Sequence, residues 1–320
     1  MSKPDDSTIT RQTHELVRRS AERLLREAGA LGRFPTPVED IVSAAKLSVE
    51  KQASLDEGFL QRMYGRAKGE IRRAIDKVIG LFDSRDRMIY LDLTVKKERQ
   101  RFVSLHETGH GYLPWQKDLY ALLEDGDKHL DPEVEQEFER QASVFASEVL
   151  FQLDRFQEDA SSLPFELKTP MTLAKRYGSS NYAAFRRFVR TSHRACVLLV
   201  FERPEYVVGR GWEFRLRRCV PSVPFEIAYG KVEWPTVLYT EEDSLASKLP
   251  LQQFKRRFTR RCRIQFPVEH GSERFYLEAF DSTFNVFALI FPEGELVTVK
   301  GAKSVLRAGA SSEVARELRS

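Results

Sequence analysis

The sequence has little cysteine. Cys196, Cys219 and Cys262 are an odd number and none stands near another, so neither a zinc knuckle nor a disulfide framework can be built from them. Buried reduced thiols are the expectation. Long apolar runs are missing as well. The longest, residues 195–201 (ACVLLVF), falls far short of the roughly 20 residues that a membrane helix needs, so no membrane partner is expected. The opening residues MSKPDDSTITRQTHELVRR hold no apolar signal core, which leads us to expect a cytoplasmic protein. There is no Gly-rich phosphate loop, internal repeat or low-complexity stretch. Charge of one sign is scarce too: 51 basic against 47 acidic residues leave a net +4, too weak by itself to imply nucleic acid.

What is present is a chain of 320 residues, 42% hydrophobic and 31% charged, enough for two domains or for a catalytic domain with an appendage. Leu16, Val17, Ala21, Leu24 and Leu25 predict a helix over 13–28, with Gly29 as its stop. Thr36-Pro37-Val38-Glu39 reads as a capping box opening a second helix to Lys46. Residues 78–82 and 88–91 read as a hairpin around Asp83-Ser84-Arg85-Asp86. Helices are expected from Thr94 to Pro114 and from Pro132 to Leu153, then two short ones divided by Gly178-Ser179-Ser180. Beyond Ala195, short alternating runs (197–201, 213–217, 274–280, 285–291) read as mostly β. The expected class is α+β, with parts at 1–155, 156–194 and 195–308 and a tail at 309–320.

The chemistry gathers at His106-Glu107-Thr108-Gly109-His110. On a helix, positions 106 and 110 lie about 40° apart, so both imidazoles can reach one metal ion, while Glu107 is turned about 100° away. That suits two histidine ligands with a carboxylate base beside them, ready to take a proton from water and pass it to a leaving amine. The alternative is a surface helix with two idle histidines. At this composition the pattern arises by accident in roughly one chain in a hundred. Phe102, Leu105, Gly109 and Leu113 also mark the helix as partly buried, which favours the metal site.

A third ligand must come from elsewhere, because no His-x-x-Gly-x-x-His extension follows. On the helix at 132–153, Glu139 shares a stripe with Ala142, Ser143, Ala146 and Leu150, small enough to press against the His106 helix. Glu148 falls on the opposite side with Glu137, Gln141, Gln152 and Arg155, which reads as a solvated face. Glu139 is therefore preferred and Glu135 is the fallback; His129 and Asp131 are weaker options. A site of this kind suits one Zn2+ per chain, with Mn2+ the second choice.

Arg99-x-x-Phe102-x-x-x-His106-Glu107-x-Gly109-His110, following Ile89-Tyr90-Leu91-Asp92, resembles the core of the ImmA/IrrE zinc metallopeptidases, and the stretch from Glu139 to Leu150 resembles their second signature. The resemblance spans about residues 10–193. It implies a zincin-like peptidase domain, a helix-turn-helix-like domain and, in some members, a further sensor-like domain. It also implies that Glu139 is the third ligand, and that the activity is limited cleavage of a helix-turn-helix repressor under stress or induction. Two positions depart from the family: Ser143 stands where Asn is usual, and Phe151-Gln152 where Met-Pro is usual.

Several features are open to two readings. The apolar spacing from Leu173 to Phe188 has helix-turn-helix form. It would put Asn181, Tyr182, Arg186 and Arg187 at a DNA groove, although a packed helical scaffold is preferred. The run 254–263 (FKRRFTRRCR) carries Lys255, Arg256, Arg257, Arg260, Arg261 and Arg263, either a solvated face or a dock for an acidic partner. Glu124, Asp125, Asp127, Asp131, Glu133, Glu135 and Glu137 form an acidic counterpart that could steer a basic substrate. The strand at 88–92 is expected to pair with substrate; Tyr112 and His129 are near the motif in sequence only. The rival to a peptidase is a non-catalytic, metal-stabilised regulator that binds DNA.

Overall fold

Helix α1 (Arg11–Glu27) forms where Val17, Ala21, Leu24 and Leu25 recur on one stripe, and all four are buried. Thr10 caps its start, and Gly29 follows its end at φ +56°, a conformation that favours glycine. The structure, a computed structural model, describes residues 9–52, 80–84, 86–124, 131–251, 257–268 and 271–293. Among them no helix is long and apolar enough to cross a membrane.

Helix α2 is shorter than expected (Val38–Ala44), and the capping box does not form. The Thr36 hydroxyl instead donates to the Leu150 carbonyl at 2.8 Å, so it serves tertiary packing and Pro37 takes the cap position without a side-chain bond. Three strands follow: β1 (Ser48–Gln52), β2 (Gly80–Asp83) and β3 (Met88–Asp92). β2 and β3 are the expected hairpin, although residues 78, 79 and 85 lie outside the described residues. β1 is unexpected; it pairs with β3 in parallel, so β3 is the middle strand.

Pro114 ends less than expected. Helix α3 (Lys97–Tyr112) stops before it, and a further helix, α4 (Pro114–Glu124), begins at it, as suits a residue whose missing N–H costs nothing in a first turn. Helix α5 (Pro132–Leu150) is capped by Asp131, whose carboxylate accepts from the Glu133 amide at 2.8 Å. Where α3 and α5 cross, a side chain at Gly109 would stand 3.2 Å from the Ala142 backbone, so glycine sets how closely they approach.

Helices α6 (Arg155–Ser161), α7 (Lys168–Tyr177) and α8 (Asn181–Arg190) come next. The chain divides into two compact units: one gathers residues through Phe156 with Leu173–Ser180, the other gathers Gln157–Thr172 with Asn181 onward. The expected segment 156–194 is thus shared between them.

The second unit is built on an antiparallel sheet of β4 (Val197–Phe201), β5 (Glu205–Val207), β6 (Gly211–Pro221), β7 (Val237–Tyr239), β8 (Phe258–Val268), β9 (Gly271–Asp281) and β10 (Val286–Pro292). The order is β5-β6-β4-β10-β9-β8, and β7 pairs with β6. One face buries Phe201, Phe214, Phe275 and Leu277 beneath helix α9 (Val223–Tyr229), which Ser222 caps. On the other face Phe185 of α8 stacks on Phe287 at 4.9 Å. The chain is α+β. Much of the basic run is edge strand β8, where Arg261 pairs with Glu278 (2.7 Å) and Arg263 with Glu293; Lys255 and Arg256 lie outside the described residues.

Candidate metal centre

Three side chains from two helices meet. His106 and His110, one turn apart on α3, bring their Nε2 atoms to 3.2 Å, and Glu139 of α5 sets its carboxylate oxygens 3.2 Å from His106 Nε2 and 3.4 Å from His110 Nε2. These residues form a group able to hold a metal ion. The fit is metric as well as chemical. Ligands at about 2.0–2.1 Å around a tetrahedral ion such as zinc stand roughly 3.3 Å apart, which is the separation found here.

Glu139 keeps a side-chain exposure of 56%, so the cluster is open to solvent on that side. Partial burial pushes its carboxyl up, but the two imidazoles prevail and hold it well below the usual carboxylate range. Glu107 goes the other way. Burial raises its carboxyl above the usual range; His106 and His110 oppose this, and Glu139 adds to it. Of the other ligands considered, Glu135 is exposed, Asp131 caps α5, and His129 lies outside the described residues.

Residues 73–188 match the family model described as the IrrE N-terminal-like domain, Peptidase_M78, a span that contains both signatures. This stretch is an ImmA/IrrE-type domain. No curated protein matches the chain. One solved structure, a Mycobacterium tuberculosis transcriptional regulator, is similar over 86% of this chain and 86% of its own at 12% identity and a TM-score of 0.46, too distant a likeness to carry an argument.

Within this domain a hydrogen-bond relay fixes the ring of His110. Trp115 Nε1–H, which can only donate, gives its hydrogen to Gln141 Oε1 at 2.7 Å. Gln116 Nε2 donates to the same oxygen (3.0 Å) and to the Phe138 carbonyl (3.2 Å). Its Oε1 is therefore the atom that faces His110 Nδ1 at 2.9 Å, and an acceptor there requires the proton on Nδ1. The Nε2 lone pair is left for the cluster. Ser143 does a similar task for His106, with Oγ 3.3 Å from Nδ1. Sequence reasoning missed Gln116 and put Gln141 on a solvated face. A glutamine six residues past a ligand histidine, at the start of the next helix, was the signal that could have found it.

The face holding Glu148 is not solvated either. Glu148 is buried, at 3% exposure, and pairs with Arg18 at 3.1 Å and His14 at 3.6 Å, because that side of α5 packs on α1. Gln152, also buried, donates to the Arg33 carbonyl and accepts from the Gly32 amide. Tyr112 turns away from the cluster: its hydroxyl accepts from Arg23 and donates to Glu27, both at 2.9 Å. The expected substrate strand is corrected as well. β3 is hydrogen-bonded on both sides, whereas β2 is the outer strand among the described residues, and a side chain at Gly80 would stand 3.1 Å from Glu107 Oε1 and 2.2 Å from Val103.

Proposed function

We propose that this chain is a cytoplasmic zinc endopeptidase that makes limited, site-specific cuts in a partner protein, a helix-turn-helix transcriptional repressor, under stress. The observation that carries the reading is the His106–His110–Glu139 triangle with Glu107 beside it. In this reading the three residues hold one Zn2+, which supplies Lewis acidity that acidifies water and polarises a carbonyl. Glu107 is the general base. Its carboxyl, raised by burial, suits taking a proton from water and returning it to the departing amine. An extended substrate segment adds to β2 at Gly80–Asp83, where main-chain pairing positions a peptide bond without reading its side chains. Exposed Glu133 and Glu135 at the start of α5 favour a basic partner, as a DNA-binding protein is. Residues 1–155 are the zincin-like part, 156–194 the helix-turn-helix-like part and 195–308 a sensor or partner-binding part.

The test uses the purified chain with its metal content measured. Incubated with the DNA-binding proteins of its own cell, wild type should yield discrete fragments, and Glu107→Gln should keep about one ion per chain yet lose roughly 10² to 10⁴ in rate. If no fragment depends on Glu107 while the metal is bound, the non-catalytic regulator is the better account.

A further inference from the structure

The second unit carries a half-open cavity of about 460 Å³ between β6, α9 and the segment after it. A β-bulge shapes it. The register between β4 and β6 shifts between Val200 and Phe201, which breaks the alternation of β6 so that Leu216 and Cys219 both turn to this face. Phe225 from α9, with Val232 and Trp234 from the loop, completes apolar walls. Trp234 is braced by the Phe266 ring at 4.7 Å.

One wall group does not fit a merely packed core. Glu226, in the first turn of α9, lines the cavity and is half-buried. Among the described residues its carboxylate has no hydrogen bond or ion pair; only the charge of Arg190 lies near enough to act on it. Burial raises this carboxyl above its usual range, the sign of an anion short of partners. Two other charges, Lys231 and Glu233, sit exposed near the rim and offset each other.

We propose that this cavity binds a small organic cation: an ammonium group on an apolar, preferably aromatic, body. The ammonium meets the Glu226 carboxylate, and the body lies between Phe225 and Trp234, whose ring faces also favour positive charge. The volume falls in the range of small-molecule sites, which are mostly apolar with a few placed polar groups. This site is separate from the metal cluster and does not depend on how that cluster functions.

Titration calorimetry on the full chain with 2-phenylethylamine, 2-phenylethanol and 3-phenylpropionate tests it, since the three share a body and differ in the head. We expect the amine to bind at least about tenfold tighter than the alcohol, the size of one charge-assisted hydrogen bond, and the carboxylate to bind weakest. Glu226→Gln should erase the amine's advantage and leave the alcohol unchanged. Val232→Trp, which fills the cavity from the loop, should weaken both. An amine no tighter than the alcohol, a carboxylate that binds best, or an advantage that survives Glu226→Gln overturns the proposal. Should Glu226→Gln fail to fold by circular dichroism, the wild-type order of the three ligands decides alone.

Discussion

At the scale of single residues, Glu139 and Glu148 show how one helix assigns opposite duties to one side chain. Glu139 reaches both histidines in the open, whereas Glu148 is buried on α1 beside Arg18. Glu139→Ala should abolish tight metal binding and hardly change the melting of the metal-free chain. Glu148→Ala should leave metal binding intact and cost about 1–3 kcal/mol, because it removes the buried carboxylate from Arg18 and leaves that guanidinium only Asp154 at 2.6 Å. Metal titration and denaturant unfolding of both variants separate the effects; an equal loss of metal in both would refute the assignment. Gln116 acts through His110. Gln116→Leu removes the acceptor that fixes the Nδ1 proton and should weaken metal binding about 10- to 100-fold in chelator competition, with all three ligands still present.

At the scale of elements, the crossing of α3 and α5 fixes the distance from the histidines to Glu139. Gly109→Ala puts a methyl 3.2 Å from the Ala142 backbone and from Phe145, so it should destabilise the fold by about 1–3 kcal/mol and lower metal affinity as the helices part. Unchanged affinity would mean that the crossing does not set the site. This part of the fold was legible in the sequence. Two histidines four apart and a stripe of small residues on the facing helix pointed to Glu139, with Glu135 one turn earlier on the same stripe as the fallback. Other elements were not legible, for physical reasons. Glu148 and Gln152 read as solvated because charge stood in for exposure, and a helix packed on both α1 and α3 has no free polar side there. β1 (Ser48–Gln52) carries Val49 as its one apolar residue, and the hydrogen bonds to β3 that define it leave no mark in composition. Pro114 was taken as a stop although proline is equally at home in a first turn.

At the scale of the whole molecule, the metal cluster belongs to one compact unit and the cavity beneath α9 to the other. A ligand that binds only the folded state stabilises it by mass action, about 2.7 kcal/mol at a hundredfold excess over its Kd. Zinc should therefore raise the melting temperature of the first unit and leave that of the second where it was. His106→Ala should remove the shift. A zinc effect that persists in that variant would place the ion elsewhere. On the proposed peptidase reading, the more than one hundred residues after Arg194, which hold none of the three candidate ligands, suit selective rather than general cleavage. The central claim, that Glu107 beside this metal cluster cuts one specific partner, is tested most directly by comparing new protein N-termini in cells that carry wild type or Glu107→Gln at equal abundance. The account predicts one or a few N-termini that appear only with wild type and map to a DNA-binding protein. Identical sets of N-termini in both cells, with metal bound in both proteins, would contradict it.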